Sequence, residues 1–118
     1  MKERALLASW GPVPRGRGGK ALEIFKHAHA YLKKKREEGK VSFRIYFNGQ
    51  DAELTGFMLI HGKPEHLMEG GEELERLYMQ AAAVVDNLSS KMLIGGTEEG
   101  VMEHLNLWRD VQIKLGYL

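Results

Sequence analysis

The chain lacks several features that would assign it to a class of protein. It has no cysteine among 118 residues, which excludes disulfides, thiolate metal sites and cysteine nucleophiles. A net charge of +1 provides no long-range field to attract nucleic acid. No apolar run approaches the roughly 18 residues that a membrane-spanning helix needs, and the first residues show no secretory cleavage site. We therefore expect a cytoplasmic protein with no membrane partner and no nucleic-acid partner.

The composition predicts one soluble domain over residues 1–118. Hydrophobic residues make up 43% and charged residues 28% of the chain, as in ordinary globular domains. Alternating or continuous apolar runs predict four strands, within residues 5–10, 40–51, 53–62 and 84–96. Asn48 and Gly49 predict a hairpin turn between the second and third strands, with a loop that runs through Ala52.

Apolar residues at helical spacing predict three helical segments. The first is 19–38, whose far end "KKKREE" (33–38) we expect to be solvated and whose stop is Gly39. The second starts near Pro64, is interrupted at Gly70–Gly71 and continues toward Val85. The third is 97–118, with Thr97 as its N-cap. Its apolar stripe is Val101, Leu105, Trp108, Val111 and Leu115.

This order of elements predicts a ferredoxin-like α+β fold, βαββαβ, with an extra C-terminal helix. We expect a four-stranded antiparallel sheet with strands one and three in its centre, because both faces of these strands are apolar, and with helices on one face only. The other face would then expose Tyr46, Phe57 and Leu59, which predicts a homodimer or a higher homo-oligomer. In the alternative, the last helix covers this face within one chain.

Four segments also resemble small proteins of the dimeric α+β-barrel superfamily. They are "SWGPVP", "ALEIFKHAHAYL", "LTGFMLIHG" and "ERLYMQAAAVVDNL". The resemblance covers the chain up to about Gly95 and rests on pattern alone. It implies a dimer of ferredoxin-like domains, in a superfamily that includes cofactor-independent monooxygenases, haem-degrading enzymes and isomerase-like proteins. No catalytic set of that superfamily maps onto these residues, and a shared fold does not select a reaction.

The loop "GPVPRGRGGK" (11–20) is a candidate anion site. Arg15, Arg17 and Lys20 lie beside the expected helix N-terminus, where backbone N–H groups favour negative charge. The spacing matches neither the Walker pattern nor GxGxxG. A solvated loop or lid is the alternative interpretation.

A pocket between the sheet and the helices is the other candidate site. Trp10, Phe25 and Met58 supply apolar walls, and the expected polar groups are His29, Arg44, Tyr46 and His61. His29 is the candidate general base, with a structural histidine as the alternative. We predict no metal, because His27 and His29 diverge on one helix and His61 with His66 lacks a third ligand, and no motif indicates a cofactor.

Two functions are compatible with these features. The first is small-molecule binding or cofactor-independent catalysis of the dimeric α+β-barrel type, in a pocket between sheet and helices. The alternative is a non-catalytic homo-oligomeric assembly or interaction protein. Nothing in the sequence decides whether the chain is an enzyme.

Overall fold

The computed structural model describes residues 3–49 and 54–118. The described elements, in chain order, are β1 (Arg4–Trp10), α1 (Gly18–Glu37), β2 (Val41–Phe47), β3 (Gly56–Gly62), α2 (Pro64–Leu67), α3 (Gly71–Val84), β4 (Ser89–Ile94) and α4 (Glu98–Lys114). The predicted loop through Ala52 lies outside the described residues. The hairpin that it joins is closed by the Asn48 amide, which donates to the Thr55 carbonyl at 2.8 Å.

The strands form one four-stranded sheet in the order β2-β3-β1-β4. Every neighbouring pair is antiparallel, and Leu6 in β1 lies opposite Ile60 in β3 and Met92 in β4. The predicted α+β class is confirmed, as is the central position of β1 and β3. The element order is not a plain βαββαβ, since the one-turn helix α2 precedes α3 and α4 follows β4.

The two faces of the sheet have different neighbours. Because side chains alternate along a strand, one set points toward α1 and α3, and we call this side the helix face. Its central residues are Leu6, Ala8, Trp10, Met58 and Ile60. The opposite side, here the open face, presents Leu7, Tyr46, Phe57, Leu59 and Leu93. The buried core lies between the helix face and α1 and α2, around Leu32, Val41 and Leu67.

Glycine and proline set the helix boundaries as the sequence predicts. Gly39 has φ +75° just after α1, and its amide donates to the Arg36 carbonyl at 3.0 Å, which is the usual role of a C-terminal glycine. Pro64 occupies the first turn of α2. Gly70, at φ +115°, lies between α2 and α3, and Gly71, at φ +48°, is the first residue of α3. The predicted interruption of the second helix is therefore confirmed.

Helix α4 begins as predicted but does not cover the sheet of its own chain. The Thr97 hydroxyl accepts the Gly100 amide at 3.0 Å, so Thr97 is the N-cap. The main contact of α4 with the rest of the chain is to β4. Its stripe stays exposed, with Trp108 at 53%. In residues 3–49 and 54–118, no helix has the length and apolar character needed to cross a membrane.

Candidate ligand cavity

An apolar cavity of about 450 Å³ lies between the helix face and the helices α1 and α3. The sheet supplies its floor through Leu6, Met58 and Ile60. The walls come from apolar side chains of α1 (Ala21, Leu22, Ile24, Phe25, Ala28, Tyr31, Leu32) and α3 (Leu74, Leu77, Tyr78, Ala81, Val84). Leu22 is 54% exposed and Tyr78 is 44% exposed, and both line the cavity, so it is open to solvent beside these side chains.

Small side chains on facing elements leave this volume empty. Ala8 on the sheet, Ala21 and Ala28 on α1 and Ala81 on α3 all line the cavity. Protein interiors normally pack with few voids larger than a water molecule. Alanines at four inward positions remove the side-chain volume that would otherwise bring the helices and sheet into contact. The cavity therefore results from small residues at these four inward positions.

Three aromatic rings close one end of the cavity. The Trp10 ring lies 6.1 Å from Phe25 and 6.0 Å from Phe47, and Phe25 and Phe47 are 5.6 Å apart, measured between centroids. These are the separations at which aromatic pairs attract through edge and tilted contacts. The cluster gives the cavity a flat, polarisable wall that suits an apolar or aromatic ligand.

Few polar groups face the cavity. Thr55 and Ser90 contribute hydroxyl-bearing side chains, and Tyr31 and Tyr78 contribute phenols. The Tyr31 hydroxyl donates to the Glu69 carbonyl at 2.5 Å and is already partnered. Among the described residues that line the cavity there is no Asp, Glu, Lys, Arg or His. The lining offers apolar contact and a few neutral hydrogen bonds.

A buried lysine holds the start of α3 against α1. Lys35 is 6% exposed, and its ammonium donates to the carbonyls of His66 and Glu69, the latter at 3.0 Å. The same ammonium lies 5.1 Å from the centre of the Tyr31 ring, within cation–π range. We call Tyr31, Lys35 and the carbonyls of His66 and Glu69 the Lys35 clamp. It positions the chain just before α3 and hence one wall of the cavity.

The environment of the clamp shifts the pKa values of its members. Burial lowers the pKa of Lys35 and raises that of Tyr31, because both charged forms lose water. At the rim, the Glu69 carboxylate accepts from Lys40 at 2.9 Å, which lowers the pKa of Glu69 and raises that of Lys40. The expectation that 33–38 is entirely solvated is therefore wrong at Lys35, whose stem packs inward while its ammonium reaches backbone carbonyls.

The predicted pocket residues fall into two groups. Trp10, Phe25 and Met58 line the cavity. His29 lies outside the lining, exposed, with its ring 5.9 Å from that of Phe43. The remaining three predicted residues occupy the open face, with Arg44 and Tyr46 on β2 and His61 on β3. The sheet therefore separates them from the cavity, and Tyr46 stacks on Phe57 at 5.1 Å instead.

The candidate anion loop is tied to the rest of the fold. Gly11 donates to the Asp86 carbonyl at 2.7 Å, and Asp86 donates back to Pro12 at 2.9 Å. The Arg17 guanidinium donates to the Ala83 carbonyl at 2.6 Å, near the end of α3, and Lys20 pairs with Glu23 at 3.4 Å. Arg15 is exposed. Two of the three cations that we expected to face an anion are therefore engaged within the chain.

Sequence reasoning missed the wall that α3 contributes. Leu74, Leu77 and Ala81 lie within the predicted second helical segment but were not assigned to the pocket, since their packing partner depends on the distance between α3 and the sheet. The available signal was the recurrence of alanine at inward stripe positions of both helices. Lys35 carried no signal, because a lysine within "KKKREE" has the same neighbours in sequence as an exposed one.

The chemistry of the described side chains adds one further constraint. Within residues 3–49 and 54–118, no group of three or more His, Cys, Asp or Glu side chains converges as a metal site would require.

In comparisons with known proteins, no family model matches the chain and no curated protein matches it. Any functional interpretation therefore depends on the geometry of the cavity and of the exposed surfaces.

Proposed function

We propose that the chain binds an apolar small molecule in the cavity between the helix face, α1 and α3. The observation that carries this proposal is a volume of about 450 Å³ with an uncharged lining. Ligand sites are typically apolar clefts of about 300–1,000 Å³ with a few polar groups. An empty apolar cavity of about 150 Å³ is enough for benzene, so this one suits a ligand of about 15–20 non-hydrogen atoms.

Binding has more support than catalysis. A general acid or base must lie within hydrogen-bond reach of the group that reacts, and His29 is exposed and outside the lining. The resemblance to the dimeric α+β-barrel superfamily belongs to this proposal as well. The antiparallel sheet with helices on one face is compatible with it, and a small-molecule pocket between those layers is what it implies.

Filling the cavity is expected to abolish binding without unfolding the chain. The neutral probe N-phenyl-1-naphthylamine, with about 17 non-hydrogen atoms, should bind with roughly micromolar affinity. Ala28→Leu places about three extra carbon atoms in the cavity and should weaken the probe at least about tenfold. The fluorescence enhancement of the probe on titration with protein measures this change.

Ala30→Leu is the matched control, because Ala30 is exposed on the same helix and does not line the cavity. It should bind the probe as the unmodified chain does, and thermal unfolding should show that both variants fold. Equal affinity for Ala28→Leu and the unmodified chain would contradict the proposed site.

A second role, homo-oligomeric assembly, has a separate observation in its favour. The chain exposes 8393 Å², whereas a compact monomer of 13.4 kDa exposes about 6,500 Å². The excess of roughly 1,900 Å² is more than twice the ~800 Å² per partner that a standard interface buries. Its radius of gyration, 16.9 Å, exceeds the ~13.5 Å of a compact domain of this length.

Native mass spectrometry reports on both roles in one spectrum. A homodimer should appear at twice 13.4 kDa at micromolar concentration, and any retained apolar ligand adds mass to that ion. A single ion at 13.4 kDa under these conditions would contradict the assembly role and leave the probe titration to decide the cavity role.

A further inference from the structure

Helix α4 exposes a broad apolar surface. Its stripe of Val101, Leu105, Trp108, Val111 and Leu115 is 44 to 61% exposed, and Met102, Leu107 and Ile113 extend the apolar surface on both sides. Polar residues recur at spacings of three and four on the remaining side: Glu99, Glu103, Asn106, Asp110 and Lys114. A helix whose apolar side is this wide is normally buried on more than one side.

Among residues 3–49 and 54–118, no element covers this stripe. Gly95 and Gly96 have φ +124° and +87°, a backbone that L side chains rarely adopt, and they set the direction in which the chain leaves β4. The first turn of α4 lies close to Gly95: a Cβ added at Gly95 would lie 3.3 Å from the Val101 Cγ2 atom, and one added at Gly100 would lie 3.3 Å from the Gly95 carbonyl oxygen. Beyond this first turn the stripe residues are exposed, and the described part of the chain extends 54 Å along its longest axis.

The open face is the matching surface. It presents Leu7 opposite Leu59, with Phe57 and Leu93 on the same face and Tyr46 42% exposed beside them. Arg44, His61 and Lys91 lie on this face as well. A helix of 17 residues is about 25 Å long. Strands of seven residues span about 23 Å, and four of them are about 19 Å wide. One helix therefore crosses the open face from edge to edge.

We propose that α4 packs its apolar stripe on the open face of a second copy of this chain. The inference rests on the assembly role proposed above and names the contact that forms it. In a dimer with a two-fold axis, each copy packs its α4 on the open face of the other copy. The excess of roughly 1,900 Å² over a compact monomer exceeds the ~800 Å² per partner that a standard interface buries, so the chain exposes enough surface for such a contact.

Cross-linking between introduced cysteines tests the contact directly, because the chain has no cysteine of its own. The double variant Leu59→Cys/Leu105→Cys joins the open face to the stripe. Treated with a short bismaleimide, it should give a product of dimer mass on reducing gels, and peptide mass spectrometry should identify a link between positions 59 and 105. The variant Leu59→Cys/Asn106→Cys, with the thiol on the polar side of α4, should give little of this product.

Three other outcomes would contradict the proposed contact between α4 and the open face of a second copy. If the only links join position 105 of one copy to position 105 of the other, and the Leu105→Cys single variant gives them too, the chain is an oligomer in which two α4 helices pair with each other. A 59–105 link at monomer mass would mean that α4 folds back on its own sheet. A chain that is monomeric by native mass spectrometry would overturn both the assembly role and this contact.

A charge substitution gives a second readout that does not depend on cross-linking. Leu105→Asp places a carboxylate in the stripe and should weaken dimerisation at least about tenfold. Asn106→Asp adds the same residue one position along, on the polar side, and should leave the dimer intact. Equal dissociation constants for the two variants would contradict a role of the stripe in the interface.

Discussion

Gly56→Ala should lower the free energy of unfolding by about 2–3 kcal/mol. A Cβ at this position would lie 2.6 Å from the Trp10 Cζ2 atom and 2.7 Å from the Tyr46 carbonyl oxygen. The oxygen belongs to the β2 backbone and cannot move without disturbing the pairing of β2 with β3, while Trp10 is held by Phe25 and Phe47. Urea unfolding followed by tryptophan fluorescence and by circular dichroism measures the change.

Gly19→Ala provides the matched control for this effect. Gly19 lies in the first turn of α1, and an added Cβ there meets nothing within 4 Å. Because alanine loses less conformational entropy in a helix than glycine does, this variant should be unchanged or up to about 1 kcal/mol more stable. If both substitutions had the same effect, the close approach of Trp10 to Gly56 would not explain the result. Displacement of Trp10 should also weaken the naphthylamine probe, since Trp10 lines the cavity.

Lys35→Met should lower the free energy of unfolding by about 2–3 kcal/mol as well, although methionine retains most of the apolar stem. The substitution removes the charged donor to the carbonyls of His66 and Glu69; the Glu69 carbonyl keeps the Tyr31 hydroxyl as a donor, whereas the His66 carbonyl loses its Lys35 partner. Hydrogen bonds to charged groups contribute about 1.5–3 kcal/mol, and a buried acceptor left without its donor adds its own cost. Chemical denaturation is again the appropriate measurement.

Lys34→Met is the control that distinguishes loss of the Lys35 clamp from a general effect of removing one positive charge. Lys34 is exposed on the same helix, so Lys34→Met should change stability by no more than about 0.5 kcal/mol. Similar losses for the two variants would show that net charge, not the clamp, is responsible. Because the clamp positions the start of α3, Lys35→Met should also weaken the probe in the cavity, whereas Lys34→Met should not.

Much of the fold follows from local patterns. The alternation in β2 and the two-sided apolar character of β1 and β3 were enough to predict an edge strand and two central ones, because the number of apolar faces reports how many sides of a strand are covered. Gly39, Pro64, Gly70 and Thr97 placed the helix ends, since each acts through the backbone of its immediate neighbours. The sequence left the start of β4 open within residues 84–96, and the structure places it at Ser89. Val84 and Val85 are apolar because they lie at the end of α3 beside the cavity.

The candidate site was predictable only in part. Strand periodicity alone places Trp10 and Met58 on the helix face, helix periodicity places Phe25 on the apolar side of α1, and all three line the cavity. Arg44, Tyr46 and His61 were predicted as the polar groups of the pocket, yet strand alternation places them across the sheet. The same alternation had already placed Tyr46 on the exposed face, so the two predictions for Tyr46 conflicted.

The amino-acid sequence by itself determined the α+β class, the central strands and the amphipathic character of α4, because these depend on periodicity and on residues that act over one turn. Only the tertiary structure decided that alanines from three elements face one another across about 450 Å³, that Lys35 is buried, and that α4 leaves its own sheet uncovered. Those outcomes depend on distances between elements far apart in the chain, which no local pattern encodes.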